Sequence, residues 1–205
     1  HLNQRSEMLS GISHDLRTPL TRIKLQLAFI ENQDIVKKIS DDVDEMEKML
    51  NEYLQFSSTG ANEKTTRFDI NELIQNIIKK YNNSNISFEN TPNIYFSGRK
   101  NLIRRSLNNF IDNSLKYGKK INISIKKIKK NLFIYLEDDG PGIPKDEHEN
   151  VFKPFYKIDK SRGESRSSVG LGLSISSDII KSHGGNIELD KSELGGLLVK
   201  ISLPF

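Results

Sequence analysis

The chain of 205 residues is 35% hydrophobic and 28% charged, as expected for a globular protein of one or two domains. It contains no cysteine, which excludes disulfides, thiolate metal ligands and cysteine nucleophiles, and no apolar run long enough to predict a membrane span. The net charge of +4 comes from lysines scattered among acidic residues, so a solvated basic surface is a better interpretation than a nucleic-acid site. Residues 1–60 hold 7 Lys/Arg against 10 Asp/Glu and the remainder 24 against 17, an asymmetry that favours two units with different roles.

Two amphipathic helices are predicted at the N-terminus, one over residues 2–31 and one after the polar break Asn32–Asp34, with Asp34 as its N-cap. Their apolar residues recur at alternating steps of three and four, which is a coiled-coil pattern. A lone hairpin buries too little surface to be stable, so we expect two copies to form a four-helix bundle. The alternative is a hairpin that packs on the rest of its own chain. The seam residues are Leu9, Ile12, Leu16, Leu20, Ile23, Leu27 and Ile30, then Val36, Ile39, Val43, Met46, Leu50 and Tyr53.

The stretch Ser57–Asn62 loses this periodicity and is the predicted linker. We therefore divide the chain into a helical hairpin (1–58), a linker (59–66) and an α/β domain (67–205). In the last part, helices alternate with strands and a hairpin, which favours an α/β sandwich with helices on one face of a mixed sheet. The predicted elements are a strand near Arg67–Ile70, a helix over Asn71–Tyr81, strands near Ile86–Glu89 and Ile94–Phe96, a helix over Leu102–Tyr117, a hairpin of Ile121–Ile128 and Leu132–Glu137, an irregular segment Gly140–Val169, a helix over Leu171–His183, and strands near Asn186–Asp190 and Leu197–Leu203.

His14 falls at position f of the first heptad pattern, away from the apolar seam, so core packing does not explain it. Taken alone, it reads as an ordinary surface histidine. Its neighbours favour chemistry instead: Asp15 could take the Nδ1 proton and leave Nε2 as a nucleophile, and Thr18 lies one turn further on the same face. Pro19 inside the helix costs about 3 kcal/mol unless a kink is useful.

The predicted helix Leu102–Tyr117 carries a polar stripe opposite its apolar face. Asn109, Asn113 and Lys116 lie at i, i+4 and i+7, within about 60° of one another. Amide oxygens suit Mg²⁺, which usually takes one or two ligands from protein and the rest from phosphate and water. Two asparagines alone could equally well solvate the outer face of the helix.

Three further motifs favour a nucleotide site without requiring one. Asp138 ends a predicted strand, where its carboxylate can accept a hydrogen bond from an adenine amine, and Gly140, Gly142 and Ile143 follow in a segment that could also be a plain surface turn. Phe152–Lys157 places aromatic residues, Phe155 among them, in a polar loop long enough to be a lid. Glycines at the start of a helix expose backbone N–H groups to phosphate, as in Gly170-Leu171-Gly172-Leu173.

The ten residues Ser13–Arg22 resemble the H-box of sensor histidine kinases, particularly those of the EnvZ type. The later motifs, in their order along the chain, resemble the N, G1, F and G2 boxes of the GHKL ATPase fold, so the likeness covers essentially the whole chain. By resemblance, His14 is the phosphoacceptor, Asp15 its acid/base partner, and Thr18 a residue that orients water when the partner regulator is dephosphorylated.

The same resemblance implies two ligands, ATP and Mg²⁺. It implies that Asn113 and Asn109 bind Mg²⁺, that Asp138 contacts the adenine amine, that Gly142 and Ile143 border the base with Tyr117 stacked nearby, and that Lys116, Lys157 and the backbone of Gly170 and Gly172 reach the phosphates. Three positions depart from the family pattern: Ser168 replaces a glycine, Leu197 a small hydroxyl residue, and Gly98-Arg99 an acidic one.

The implied activity is autophosphorylation of His14 by ATP and transfer to an aspartate of a response regulator receiver domain, with regulator phosphatase activity. The implied assembly is a homodimer, in the cytoplasmic portion of an inner-membrane sensor whose membrane segments lie upstream. Two alternatives remain open at this point: a GHKL ATPase that acts as a conformational machine, and a nucleotide-binding scaffold without catalysis.

Overall fold

The computed structural model describes residues 18–59, 63–81, 85–89, 94–158 and 170–205, with backbone only at 45, 48, 49 and 51–59. His14 and Asp15 therefore lie outside the described residues, as do Ser168 and the last part of the predicted irregular segment. The chain divides into two compact units. The described part of the first comprises residues 18–59 and 63, grouped with 170 and 171; the second comprises the described residues of 64–158 and 172–205.

The first unit is a helical hairpin. Residues 18–27 are helical (α1), and α2 runs over Gln33–Thr59. Leu20, Leu27 and Val43 are buried, as the predicted seam requires. The Nζ atom of Lys24 on α1 lies 2.6 Å from Asp44 Oδ1 and 2.8 Å from Glu47 Oε2 on α2, and hydrogen bonds to these two carboxylates raise the lysine pKa.

The turn between the helices corrects two predictions. Helix α1 ends at residue 27 rather than 31, and Ile30, a predicted seam residue, is 39% exposed. The N-cap of α2 is Asn32 rather than Asp34, because Asn32 Oδ1 accepts a hydrogen bond from the backbone N–H of Ile35 at 3.2 Å. At its other end α2 continues through Thr59, so the first residues of the predicted linker are helical.

The second unit is an α/β sandwich. Its five-stranded sheet has the order β2-β4-β5-β7-β6, in which β2 and β4 are parallel and the other pairs antiparallel; β1 and β3 form a separate antiparallel pair. The mixed sheet predicted from the sequence is thus confirmed. The elements are β1 (Thr66–Asp69), α3 (Ile70–Tyr81), β2 (Ile86–Glu89), β3 (Tyr95–Gly98), α4 (Lys100–Tyr117), β4 (Ile121–Ile128), β5 (Asn131–Asp138), α5 (Gly172–Lys181), β6 (Asn186–Lys191) and β7 (Leu197–Pro204).

The core lies between the three helices and one face of the sheet. Alternate residues of β4, β5 and β7 are buried, as expected for strands with one covered face. Leu132, Ile134 and Ile201 on the sheet are fully buried, and Leu107 and Phe110 on α4 are 2% exposed or less. Burial of large aliphatic side chains like these contributes roughly 1.5–3 kcal/mol each.

The segment predicted as irregular is partly ordered. Two short 3-10 helices, Lys145–Glu147 and Asn150–Phe152, occupy it. Glu147 organises them, since its Oε2 accepts hydrogen bonds from the Tyr156 hydroxyl at 2.5 Å and from Asn150 Nδ2 at 3.2 Å. The following helix, α5, is shorter than predicted and ends at Lys181, because residues 182–184 form a turn.

His183 in that turn anchors the start of α4. Its Nδ1 lies 2.7 Å from the carbonyl oxygen of Ile179, and its Nε2 accepts a hydrogen bond from Arg99 N at 3.1 Å. A Cβ at residue 98 would lie 3.1 Å from the His183 ring and 2.5 Å from the Phe96 ring, so a glycine fits there. The guanidinium of Arg99 donates to the carbonyl oxygen of Ser182 at 3.2 Å. Gly98-Arg99, noted above as a departure from the family pattern, therefore fixes the helix that carries the polar stripe.

Candidate nucleotide-binding site

Asp138, the last residue of β5, lies in a cage of hydrogen-bond donors. The carboxylate is 4% exposed. Its Oδ1 accepts hydrogen bonds from the backbone N–H groups of Gly140 and Leu197, both at 3.0 Å, and its Oδ2 accepts one from the Ser114 hydroxyl at 2.9 Å. Three donors satisfy most of the acceptor capacity of this buried carboxylate, as burial of a charge requires.

The backbone around Asp138 is closely packed by glycine. Gly196 N donates to Asp138 O at 3.1 Å, and a Cβ at residue 196 would lie 2.3 Å from Asp138 Oδ1 and 2.4 Å from Gly140 N. No side chain fits there without a shift of backbone. Gly142, with φ of +71°, adopts the left-handed conformation that glycine favours. Because these glycines have no side chains, the end of the strand leaves room for a planar base to approach.

Ser114 was not among the residues predicted for this site. It lies on the buried face of α4 and is 3% exposed. The sequence does carry a signal, because residue 114 follows Phe110 by four and Ile111 by three and so shares the apolar face of the helix. Burial of a hydroxyl is unfavourable unless it is hydrogen-bonded, and for Ser114 the partner is Asp138.

Asp139 connects the end of α4 to the same strand end. Its Oδ1 accepts hydrogen bonds from the backbone N–H groups of Lys120 and Lys119, at 2.8 and 2.6 Å. These two bonds hold the pKa of the Asp139 carboxyl below its ordinary value of 3.8. The two consecutive aspartates thus differ in their contacts: Asp139 binds the backbone of the loop after α4, whereas Asp138 is buried.

The polar stripe of α4 is present, but its members are engaged differently. Asn109 Nδ2 donates to the carbonyl oxygen of Gly172 at 3.0 Å and to Ser176 Oγ at 3.2 Å, so this side chain fastens the start of α5. Asn113 is half-buried, and no hydrogen bond joins its side chain to the described residues. Lys116 and Tyr117 are exposed, and the lysine Nζ lies 5.1 Å from the centre of the tyrosine ring.

The predicted lid residues are at the surface. Phe155 is 56% exposed, with φ of +64°, and Lys157 is exposed. Ile143 is half-buried, and its carbonyl oxygen lies 3.1 Å from His148 Nε2. A left-handed backbone is uncommon at a residue other than glycine. Packing against the described residues does not explain it at Phe155, because most of that side chain is in solvent.

The predicted glycine motif at the start of α5 is divided between the units. Gly172 and Leu173 open α5 in the second unit. Gly170, with φ of +78°, and the buried Leu171 are grouped with the first. Within the second unit, the structure therefore brings together Asp138, Gly140, Gly142, the residues of α4 and the start of α5.

On the first unit, Thr18 is helical and exposed, one residue before Pro19. Over the described ranges, no three His, Cys, Asp or Glu side chains cluster as metal ligands, and none of the helices there is both long and apolar enough to cross a membrane. The amide oxygen of Asn113, whose side chain has no hydrogen bond to the described residues, is of the kind that Mg²⁺ prefers.

The chain matches two family models. The model of histidine kinase-, DNA gyrase B- and HSP90-like ATPases matches residues 98–205, and the model of the histidine kinase A phospho-acceptor domain matches residues 4–62. Because the first of these covers more than half of the chain and the second precedes it, the chain belongs to the histidine kinase-, DNA gyrase B- and HSP90-like ATPases and, among them, to the sensor histidine kinases. The resemblance noted from the sequence is thus confirmed.

Individual proteins that resemble this chain are also sensor histidine kinases. The sensor histidine kinase GtrS of Pseudomonas aeruginosa is 33% identical over an alignment of 206 positions, which covers 100% of this chain and 43% of GtrS. WalK of Bacillus subtilis is 30% identical, over 98% of this chain and 37% of WalK, and CpxA of Escherichia coli 29%, over 99% and 48%. The chain thus spans less than half the length of these relatives.

Solved structures with the same fold include full-length ShkA in complex with AMPPNP, with a TM-score of 0.70 and 22% identity over 98% of this chain and 46% of that one. The mycobacterial sensor histidine kinase MprB has a TM-score of 0.59 and 26% identity, over 68% of this chain and 97% of that one.

Proposed function

We propose that this chain uses ATP to phosphorylate its own His14 and then passes the phosphoryl group to an aspartate on the receiver domain of a response regulator. The observation that carries this proposal is the enclosed carboxylate of Asp138. It ends a central strand beside bare glycine backbone, which suits recognition of an adenine amine. The match of residues 4–62 to a phospho-acceptor domain supports His14 as the acceptor.

In this proposal each group has a defined role. Asp138 accepts a hydrogen bond from the exocyclic amine of adenine, with Gly142 and Ile143 beside the base and Tyr117 stacked near it. Asn113, together with the amide oxygen of Asn109, would hold Mg²⁺, whose chemistry there would be to neutralise charge on the phosphates. The remaining contacts to phosphate come from Lys116, Lys157 and the backbone at Gly170 and Gly172, with Leu171, Leu173 and the exposed Phe155 forming the adjoining lid.

The transfer step exchanges one bond to the γ-phosphorus for another. The bond between the γ-phosphorus and its bridging oxygen breaks, the electron pair leaves with ADP, and a bond forms between the γ-phosphorus and His14 Nε2. Asp15 takes the Nδ1 proton that the imidazole releases. Transfer to the regulator repeats the exchange with a carboxylate oxygen as nucleophile. Thr18, exposed on its helix, would orient the water that later removes the phosphoryl group from that aspartate.

We further propose that the chain acts as a homodimer, through a four-helix bundle of two hairpins. Within the described hairpin, Leu25, Phe29, Ile35 and Met46 are 48–88% exposed, an amount of apolar surface that a second hairpin could cover. On this view, the chain is the cytoplasmic portion of an inner-membrane sensor. Sedimentation equilibrium tests the dimer: a monomer at micromolar concentration would contradict it.

Incubation with ATP labelled at the γ-phosphate tests the central proposal. We expect a protein label that is stable to alkali and labile to acid, lost in His14→Gln although that variant still binds ATP. Asp138→Asn should lose both label and ATP binding, because the amide NH₂ group would oppose the adenine amine. Release of phosphate without any protein label would instead indicate a conformational ATPase. Binding of ATP with neither phosphate release nor a protein label would indicate a scaffold.

A further inference from the structure

We infer that Ser114 is a positioning residue for adenine recognition. Its hydroxyl fixes the Asp138 carboxylate so that one acceptor position remains, and that position suits a single donor such as the exocyclic amine. The inference rests on the proposed function, since it takes Asp138 as the group that meets the base. It adds a residue on α4 that the motifs in the sequence did not include.

The donors that the described residues supply to the Asp138 carboxylate leave one acceptor position for a ligand. An ionised carboxylate offers about four acceptor positions, two on each oxygen. Gly140 N and Leu197 N occupy those of Oδ1, both at 3.0 Å, and the Ser114 hydroxyl occupies one of Oδ2 at 2.9 Å. No other donor from the described residues reaches this carboxylate, so the position left for a ligand is on Oδ2, the oxygen that Ser114 holds.

The hydroxyl of Ser114 has a fixed direction. A carboxylate can only accept, so the serine must donate to it. Both residues are buried, at 3% and 4% exposure, so the hydrogen bond between them is largely shielded from bulk water. Without this donor, the carboxylate could rotate about its bond to Cβ, limited only by the two backbone N–H groups on Oδ1. The free lone pair of Oδ2 would then no longer face one direction.

The position of Leu197 explains why the donor comes from α4. The pairing of β5 with β7 extends to Glu137 and Leu198, and just beyond it the buried residues Asp138 and Leu197 meet, because the backbone N–H of Leu197 donates to Asp138 Oδ1 at 3.0 Å. A small hydroxyl residue at 197, the usual family choice, could donate to Asp138 from the strand. Leucine cannot. In this chain the helix supplies the hydroxyl that the strand lacks.

The test is nucleotide affinity, measured by calorimetry in the His14→Gln background so that no phosphorylation interferes. Ser114→Ala is compared with Ser106→Ala, a matched control: Ser106 is also a buried serine of α4, but its hydroxyl has no hydrogen-bond partner within the described residues. Each is titrated with ATP and with purine riboside triphosphate, which lacks the 6-amine. A third variant, S114A/L197T, returns a hydroxyl from β7.

We expect Ser114→Ala to weaken ATP binding up to about tenfold, because binding must then immobilise the Asp138 side chain that Ser114 no longer holds, and to change the affinity for the amine-free nucleotide less than about twofold. Ser106→Ala should leave both affinities unchanged, and L197T should recover most of the lost ATP affinity. Equal weakening for both nucleotides, no weakening at all, or no recovery in S114A/L197T would overturn the inference. If instead the unmutated site binds no ATP, or does not prefer it to the amine-free nucleotide, the proposed function itself fails.

Discussion

Replacing Gly196 with alanine should damage the α/β unit severely. The new Cβ would lie 2.3 Å from Asp138 Oδ1, 2.4 Å from Gly140 N and 2.6 Å from Asp138 O. To reach even a 3.0 Å separation, the carboxyl oxygen must retreat by about 0.7 Å, although two backbone N–H groups hold it. Overpacking of this kind costs about 1–3 kcal/mol, and each weakened hydrogen bond adds about 0.5–1.5 kcal/mol. We expect the free energy of unfolding to fall by about 2–4 kcal/mol.

Urea denaturation followed by circular dichroism measures this loss. Gly172→Ala is the control: its Cβ would lie 3.9 Å from Asn109, an ordinary contact, in a helix where alanine is preferred to glycine. That variant should be at least as stable as the parent chain. If Gly196→Ala unfolds at the same urea concentration as the parent, the packing around Asp138 is looser than described and our reasoning about the cage is wrong.

Three further substitutions test other contacts. Asp139→Asn should lower stability at neutral pH. The folded-state pKa of this carboxyl lies below its ordinary 3.8, so the stability that the wild-type carboxylate adds is complete above pH 3.8 and is lost as the pH falls through the folded-state pKa. Thermal melts from pH 7 to 2 would follow this loss. Tyr81→Phe removes a 2.8 Å hydrogen bond to Asp112 and should cost about 1 kcal/mol by urea denaturation, whereas an unchanged midpoint would show that solvent replaces the bond. In the parent chain, burial and then that bond raise the pKa of the Tyr81 hydroxyl, so its phenol should resist ionisation in a spectrophotometric titration at alkaline pH. Lys24→Met should destabilise the hairpin only slightly, with the loss fading in high salt; a loss that persists in 1 M salt, roughly a 3 Å screening length, would mean that the ion pairs are not its cause.

Periodicity predicted most of the secondary structure because apolar residues follow the geometry of each element. The helix expected over Leu102–Tyr117 begins two residues earlier, at Lys100, and its predicted apolar residues Ile103, Leu107 and Phe110 are buried. The strands Ile86–Glu89 and Ile121–Ile128 have the predicted bounds. In each case the local sequence and the final packing require the same pattern.

Interactions between residues distant in the sequence could not be predicted from it. The amide of Asn109 bonds to Gly172, 63 residues later, and no local pattern specifies that pairing. Ser114 and Asp138 are likewise 24 residues apart. The end of α1 and the N-cap of α2 were placed wrongly because Asn32 and Asp34 are both good capping residues, and only the geometry of the turn selects between them.

The place of β5 in the sheet has a consequence for how nucleotide recognition can change. β5 is the middle strand of five, paired along its length with β4 on one side and β7 on the other. Asp138 therefore cannot shift without disrupting two ladders of hydrogen bonds, and small backbone adjustments are not available for tuning its contact with a base. Substitutions remote from the site should alter affinity mainly through the fraction of molecules that are folded. Exchange of the hydroxyl donor between residues 114 and 197, as in S114A/L197T, would alter the contact with the base while leaving both ladders in place.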